Sequence, residues 1–204
     1  YDNVIIARSG NDNADTAGKR MSLAPATTLS TNTTQSAAAT PSNAAIDRAQ
    51  RLAARFSMAG RRALITGGSV SIGRSIALAF AEAGAAVAIH HDSAADVAFG
   101  KPQAAEETAA LIRQYGGQAA IIDADFGVPG EARRTVDAAA DALGGVDVLV
   151  VCASIQYRIA FEAVTTEQIE RQIQINFKSS IELLQAALPP MKARGWGRVL
   201  TIGS

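Results

Sequence analysis

Residues 63–73 read Ala63-Leu64-Ile65-Thr66-Gly67-Gly68-Ser69-Val70-Ser71-Ile72-Gly73, and this stretch decides the fold. Ala63 to Thr66 is a short apolar run closed by glycines, the mark of a buried strand followed by a turn. Beyond the turn, Ile72, Ile76, Ala79, Phe80 and Ala83 recur at the three- and four-residue spacing of a helix stripe. A strand that runs straight into a glycine-rich turn and then a helix builds an anion site. The first-turn N–H groups lack intrahelical partners, and the helix dipole adds positive potential. The dipole is worth only ~0.3–1 kcal/mol to an exposed charge, so the N–H donors must carry most of the affinity. Gly67 reads as the sharp turn, and Gly73 as the residue that lets the helix approach the strand closely.

Outward from this turn the same rhythm repeats. Gly84 closes the first helix as a C′ residue does. Ala86 to His90 reads as a second strand, Pro102 to Tyr115 as a helix ended by Gly116-Gly117, and Gln118 to Ile122 as a third strand. A helix over Glu131 to Leu143 ends at Gly144-Gly145, and Val146 to Val151 is a fourth strand, apolar on both sides of its pleat. A long helix runs from Thr165 into the Pro189-Pro190 region, and Arg198 to Ile202 is a fifth strand. Continuous apolar strands separated by helices mean parallel strands covered on both faces, a doubly wound α/β sheet.

The amino-terminal part differs. Residues 21–46 carry no charged side chain, and up to Ala45 they are dominated by Ala, Ser, Thr, Asn and Pro. So little bulky apolar surface does not offset the ~1–2 kcal/mol per residue that ordering a backbone costs. Residues 1–45 are therefore expected to be a disordered tail, and an organelle transit peptide is the lesser alternative, weakened by Asp2, Asp12 and Asp15. Over residues 46–60 a short helical arm and linker is expected, with Ile46, Ala49, Leu52, Ala53 and Phe56 opposite Arg48, Arg51 and Arg55. An arm lying on the following domain is preferred to a membrane-surface helix. Residues 61–204 then form the α/β domain.

Composition narrows the function. Of 204 residues, 19 are Lys or Arg and 19 are Asp or Glu, a formal net charge of zero, which lacks the basic footprint of a nucleic-acid binder. An aromatic share of 5% leaves few platforms for stacking bases. The single cysteine, Cys152, cannot close an internal disulfide. No run approaches the ~20 apolar residues that span a bilayer. A cytoplasmic protein without nucleic-acid or membrane partners is expected.

The turn Thr66-Gly67-Gly68-Ser69-Val70-Ser71-Ile72-Gly73 resembles the T-G-x-x-x-G-x-G segment of the classical short-chain dehydrogenase/reductase family, with Ser71 in place of one glycine. The resemblance runs from about Phe56 to Ser204. It implies a Rossmann-like sheet of strand order 3-2-1-4-5, with the family's last strands beyond these residues. It also implies NAD or NADP as cofactor, a small carbonyl or alcohol as substrate, and a homo-oligomer, dimer or tetramer. The implied cofactor cradle comprises Gly67, Ser69, Val70, Ser71, Ile72 and Gly73, with Asp125 and Phe126 after the third strand and Cys152 and Ala153 after the fourth. Asp125 matches the acidic residue that accepts from the adenine amino group. Asn176, an unfavourable residue in mid-helix, matches the Asn that holds a relay water, and Ser204 matches the catalytic Ser that polarises the substrate carbonyl.

The family's acid–base pair, Tyr-x-x-x-Lys, is not found: Tyr1 is followed four residues on by Ile5, Tyr115 by Ala119 and Tyr157 by Phe161. It is expected beyond Ser204, so these residues by themselves are expected to be inactive. The position that reads the cofactor ribose falls on His91, with Asp92 next. Neither Val70 nor Asp92 is basic and Asp92 would repel a 2′-phosphate, so NAD is favoured, although a protonated His91 would favour NADP. A His90–His91 metal pair is set aside, because adjacent strand residues point to opposite faces, and no metal is expected. Cys152 has no histidine in a partner motif and reads as a small buried hydrophobe. The alternative function is a catalytically silent dinucleotide sensor or partner subunit. The enzyme reading leads to 3-oxoacyl-carrier-protein reductases or sugar and polyol dehydrogenases.

Overall fold

A computed structural model describes residues 42–203. In chain order the elements are α1 (Asn43–Phe56), β1 (Arg62–Ile65), α2 (Ser71–Glu82), β2 (Ala86–His91), α3 (Ser93–Ala98), α4 (Ala104–Gln114), β3 (Ala119–Asp123), α5 (Glu131–Leu143), β4 (Val148–Val151), α6 (Thr166–Ile173), α7 (Ser179–Ala193) and β5 (Arg198–Thr201). One sheet of order β3-β2-β1-β4-β5 holds all five strands, and every pair is parallel. The chain therefore leaves β1 toward one edge and returns to start β4 on its other side, a topological switch point at the carboxyl ends of β1 and β4.

Strand side chains alternate between two layers. Leu64, Ala88 and Leu149 pack with Val136 and Ala139 of α5 and Leu183 and Ala187 of α7. Ala63, Ile65, Val87, Ile89, Val148 and Val150 pack on the other face, with Ala77 and Ala81 of α2 and Ala109 and Ile112 of α4. Leu64, Ile65, Ile89 and Leu149 are fully buried, each worth about 1.5–3 kcal/mol in transfer free energy. At the amino ends of the strands Asp147 is a polar staple. Its Oδ2 accepts from the Arg62 N–H and Nε at 3.1 and 2.8 Å, its Oδ1 accepts from Arg62 Nη2 at 2.7 Å, and Arg194 Nη2 lies 3.5 Å away.

Three expectations are corrected. The arm begins at Asn43, not Ile46, because the Ser42 hydroxyl caps it by accepting from the Ala45 N–H at 3.3 Å. None of its residues is buried, and Ile46, Leu52 and Phe56 stay exposed, so it does not lie packed on the domain. The expected tail up to Pro41 lies outside the described residues. Secondly, α3 was not foreseen; Asp92 caps it, accepting from the N–H groups of Ala94 and Ala95 at 2.9 and 3.2 Å. Thirdly, the long helix is interrupted by a π-helical turn over Gln174–Lys178 and continues through Pro189 and Pro190 to Ala193. The buried stripe Leu183, Ala187 and Met191 carries the helix across the prolines, whose fixed φ is compatible with helix although their hydrogen bonds are lost.

Candidate functional site

A cleft of about 290 Å³ opens at the switch point. Its lining includes every cofactor-binding candidate: Gly67, Ser69, Val70, Ser71, Ile72, Gly73, His91, Asp92, Asp125, Phe126, Cys152 and Ala153. The fold thus gathers three separate chain segments, the turn after β1 and the exits of β3 and β4, around the end of β2.

The turn is shaped by contacts that only glycine permits. Gly67 has φ +65° and lies so near the exit of β4 that a Cβ would stand 3.1 Å from Ala153 Cα. At Gly73 a Cβ would collide with the carbonyl oxygen of Gly67, so the first turn of α2 packs directly on the loop backbone. Val70, the N-cap of α2, supplies no side-chain acceptor, which leaves first-turn N–H groups available to an anion. Ser71 adopts φ +49°, the left-handed region that disfavours L side chains with a Cβ.

Two polar residues that the sequence reading did not assign hold this turn in place. The fully buried Thr66 accepts from the N–H groups of Cys152 and Ala153 at 2.9 and 3.1 Å and donates to the Val150 carbonyl at 3.3 Å. Its hydroxyl thereby ties the end of β1 to the end of β4. The imidazole of His90 accepts from the Gly67 N–H at Nδ1, 3.2 Å, and donates from Nε2 to the Ala124 carbonyl at 3.0 Å. The ring also stacks on Phe126, with centroids 3.9 Å apart. Acceptance at Nδ1 needs the neutral ring, and burial lowers the His90 pKa to about 4.

A buried polar trio closes the β2 side. Asp96 of α3 accepts from the Ser69 hydroxyl at 2.9 Å and faces His91 Nδ1 at 2.8 Å. Ser69, Asp96 and His91 are 3%, 3% and 5% exposed. The only signal for Asp96 in the sequence was its place four residues after a helix-capping Asp. Across the cleft, Asp125 accepts from the Gly127 N–H at 2.7 Å and pairs with Arg171 Nη2 at 3.0 Å. Burial pushes the Cys152 thiol pKa up, which keeps it protonated and apolar in character.

Asn176 sits within the π-helical turn. Its side-chain oxygen accepts from the Ile155 N–H and its amide donates to the Ile155 carbonyl, both at 2.9 Å. The mid-helix Asn thus pairs like a strand with the segment after β4, and it borders the cleft through Ile155 and Ile175 rather than lining it. Ser204 lies outside the described residues. Among the described residues no group of three or more metal-ligating side chains occurs.

An open parallel sheet with a glycine turn at its switch point defines the dinucleotide-binding class of α/β domains. Residues 61–204 match the family described as short chain dehydrogenase, and the chain belongs to that family. It is 34% identical over 148 residues to D-beta-hydroxybutyrate dehydrogenase of Rhizobium meliloti, covering 71% of this chain and 54% of that one. It is 36% identical over 153 residues to the rhamnolipids biosynthesis 3-oxoacyl-[acyl-carrier-protein] reductase of Pseudomonas aeruginosa, covering 73% and 56%. Among solved structures, a 3-oxoacyl (acyl-carrier-protein) reductase from Agrobacterium tumefaciens with NADP bound superposes with TM-score 0.68 at 36% identity, over 77% of this chain and 57% of that one. A 7 alpha-hydroxysteroid dehydrogenase complexed with NADH superposes with TM-score 0.64 at 34% identity, over 73% and 55%. The chain spans about half the length of the curated relatives it matches.

Proposed function

We propose that the chain carries the cofactor-binding part of an NAD(P)-dependent oxidoreductase that moves hydride between nicotinamide and a small carbonyl or alcohol compound. The observation that carries this reading is the backbone-on-backbone cradle of Gly67 and Gly73 at the open end of α2. A diphosphate fits there because no side chain occupies the space and the first-turn N–H groups are unengaged within the helix. When bound, the nicotinamide supplies the hydride acceptor or donor.

The remaining chemistry belongs to side chains. Thr66 and His90 hold the turn, Asp125 and Phe126 border the adenine end, and Asn176 fixes the segment at Ile155 beside the reacting end. The family resemblance assigns Ser204 the substrate carbonyl, as a hydrogen-bond donor that strengthens when charge develops on oxygen. A phenol of pKa ~10 needs a nearby cation to exchange protons near neutrality, and no Tyr-x-x-x-Lys occurs in these 204 residues. Residues 1–204 alone are accordingly proposed to bind dinucleotide without turning over substrate. The hydroxybutyrate and 3-oxoacyl relatives favour a 3-oxo or 3-hydroxy acyl substrate over a sugar. An exposed stripe of Ile169, Ile173, Phe177 and Ile181 at four-residue spacing supports a homo-oligomer. The protein is proposed to work in the cytoplasm, and no described helix is long and apolar enough to cross a membrane.

Titration of NADH and NADPH into the chain, read as enhanced nicotinamide fluorescence, tests the reading. Saturable binding is expected, and Ser71→Asp, which sets a carboxylate where the diphosphate would lie, is expected to weaken it at least ~10-fold with little change in melting temperature. No binding of either dinucleotide to a folded chain would overturn it.

A further inference from the structure

We propose that α1 is a peripheral membrane anchor, an arginine-edged helix that lays its apolar side into an anionic phospholipid surface. The proposal is independent of the dinucleotide-binding reading and adds a partner at the other end of the sheet.

The arm is built as a helix but not as part of the core. Ser42 caps its start, and the Ser57 N–H closes its end on the Ala54 carbonyl at 3.4 Å. Its 14 residues include none that is buried. An isolated helix of that length is marginal in water and gains stability from a surface that covers its apolar side. At 3.6 residues per turn, Ile46, Ala49, Leu52, Ala53 and Phe56 share about one third of the circumference. Arg48, Arg51 and Arg55 occupy the neighbouring sector, and all three are exposed. Asp47 is the sole acidic residue of the helix, so three arginines less one aspartate leave a net charge of +2.

Where the arm joins the domain, the positive charge continues. The Met58 N–H donates to the Ala83 carbonyl at 2.7 Å, which fixes the linker at the amino ends of the strands. There Arg61 and Arg198 lie over the Trp196 ring, 3.7 and 5.0 Å from its centroid, and Lys192 and Arg194 stand at the end of α7. The carboxylates of this end are Asp147, already held by Arg62, and Glu82 and Asp141 on the last turns of α2 and α5. The cleft at the far end is lined by Asp92, Asp96 and Asp125 and by neither lysine nor arginine. A chain of zero formal charge is thus polarised, basic at the arm and acidic at the cleft. An anionic surface draws the arm toward it and leaves the cleft facing away.

The same residues select lipid over other covers. In a second copy of the arm, arginines would meet arginines, with Asp47 as the only counter-charge. A protein groove reads a helix through large anchors at i, i+3 or i+4, and i+7. Counted from Ile46, two of those places are Ala49 and Ala53, which fill no pocket. A phospholipid interface has no fixed pockets. It takes separated Ile, Leu and Phe side chains among its acyl chains, while arginine stems lie along it and their guanidinium groups reach phosphate.

The test is co-sedimentation of the chain with vesicles of phosphatidylcholine alone and of phosphatidylcholine mixed with phosphatidylglycerol. Binding to the mixed vesicles is expected, with little to the neutral ones, and it should weaken as salt rises from about 0.05 M to about 0.5 M. Replacing Leu52 and Phe56 together, as Leu52→Asp with Phe56→Asp, is expected to weaken binding at least ~100-fold. Arg48→Gln, Arg51→Gln and Arg55→Gln combined are expected to weaken it at least ~10-fold. Because no residue of α1 is buried, both variants should keep the wild-type melting temperature and NADH affinity. Hydrogen exchange over residues 43–56 should slow on the mixed vesicles. No binding to them at low salt overturns the proposal, as does equal binding to neutral vesicles. Binding that survives Leu52→Asp with Phe56→Asp overturns it by moving the contact to the strand ends. Self-association in vesicle-free solution that this variant abolishes assigns the helix to a second copy instead. Tighter binding to poly-glutamate than to the mixed vesicles assigns it to an acidic protein. Loss of NADH binding in the wild type would overturn the functional reading and leave this one standing.

Discussion

Two buried carboxylates stand at opposite ends of the same sheet, and their partners differ in kind. Asp147, just before β4, is bound by the permanently charged Arg62 through three hydrogen bonds, with Arg194 close by. The Arg62 hydrogen bonds hold the Asp147 carboxyl below its ordinary range. Asp96, beyond the carboxyl end of β2, meets only the Ser69 hydroxyl and the His91 ring. A carboxylate held by a guanidinium keeps one state at every working pH and acts as a staple. Asp96 is held instead by an imidazole and a hydroxyl, and it lines the cleft. The difference separates an end of the sheet closed by a charged staple from an end that opens into the cleft.

Replacing each carboxylate tests that contrast most strongly. Asp147→Ala leaves Arg62 and Arg194 without their carboxylate and is expected to cost about 2–3 kcal/mol in urea unfolding. Asp96→Asn keeps the shape and one of the two acceptor oxygens and is expected to cost only about 1 kcal/mol. Equal losses would erase the distinction.

Acid is expected to act on the two ends in sequence. The fold holds His90 neutral, its pKa lowered from 6.5 to about 4, chiefly by burial. The unfolded chain therefore takes up this proton first, and stability falls as pH drops from 6.5 toward about 4, by about 3 kcal/mol in total. Asp147 contributes above its unfolded value of 3.8, and its share is lost only as pH falls below that. Thermal melts of His90→Gln across this range should lose the upper slope and keep the lower one. A wild type of constant stability from pH 6.5 to 4 would contradict the Gly67–His90 bond.

The smallest expected effect concerns the turn itself. Ser71→Gly relieves the left-handed backbone at φ +49° and should stabilise the chain by about 1 kcal/mol. It should also tighten binding of NADH and NADPH alike. Calorimetry of both ligands with the variant checks this.

Much of this site was legible in the residue order. Gly67, Gly73, Asp125 and Ala153 were placed by motif and strand rhythm, and all line one cleft. The interrupted helix was harder to foresee, since Asn176 is unfavourable for a helix in isolation. Its partner, the main chain of Ile155, is 21 residues away. Asp96 was missed because α3 is only 6 residues long, too short for its periodicity to declare itself. Thr66 was read as the end of a strand, and nothing local announces that its hydroxyl reaches across to Cys152.

Residue order by itself determined the doubly wound sheet, the glycine turn and the helices that flank it. Hydrophobic period and the steric demands of a backbone turn are local properties. Only the tertiary structure decided which polar groups meet. Ser69 and Asp96 are separated by 27 residues, and Thr66 and Cys152 by 86. Such pairings depend on where whole elements pack, so they emerge only when the sheet is assembled.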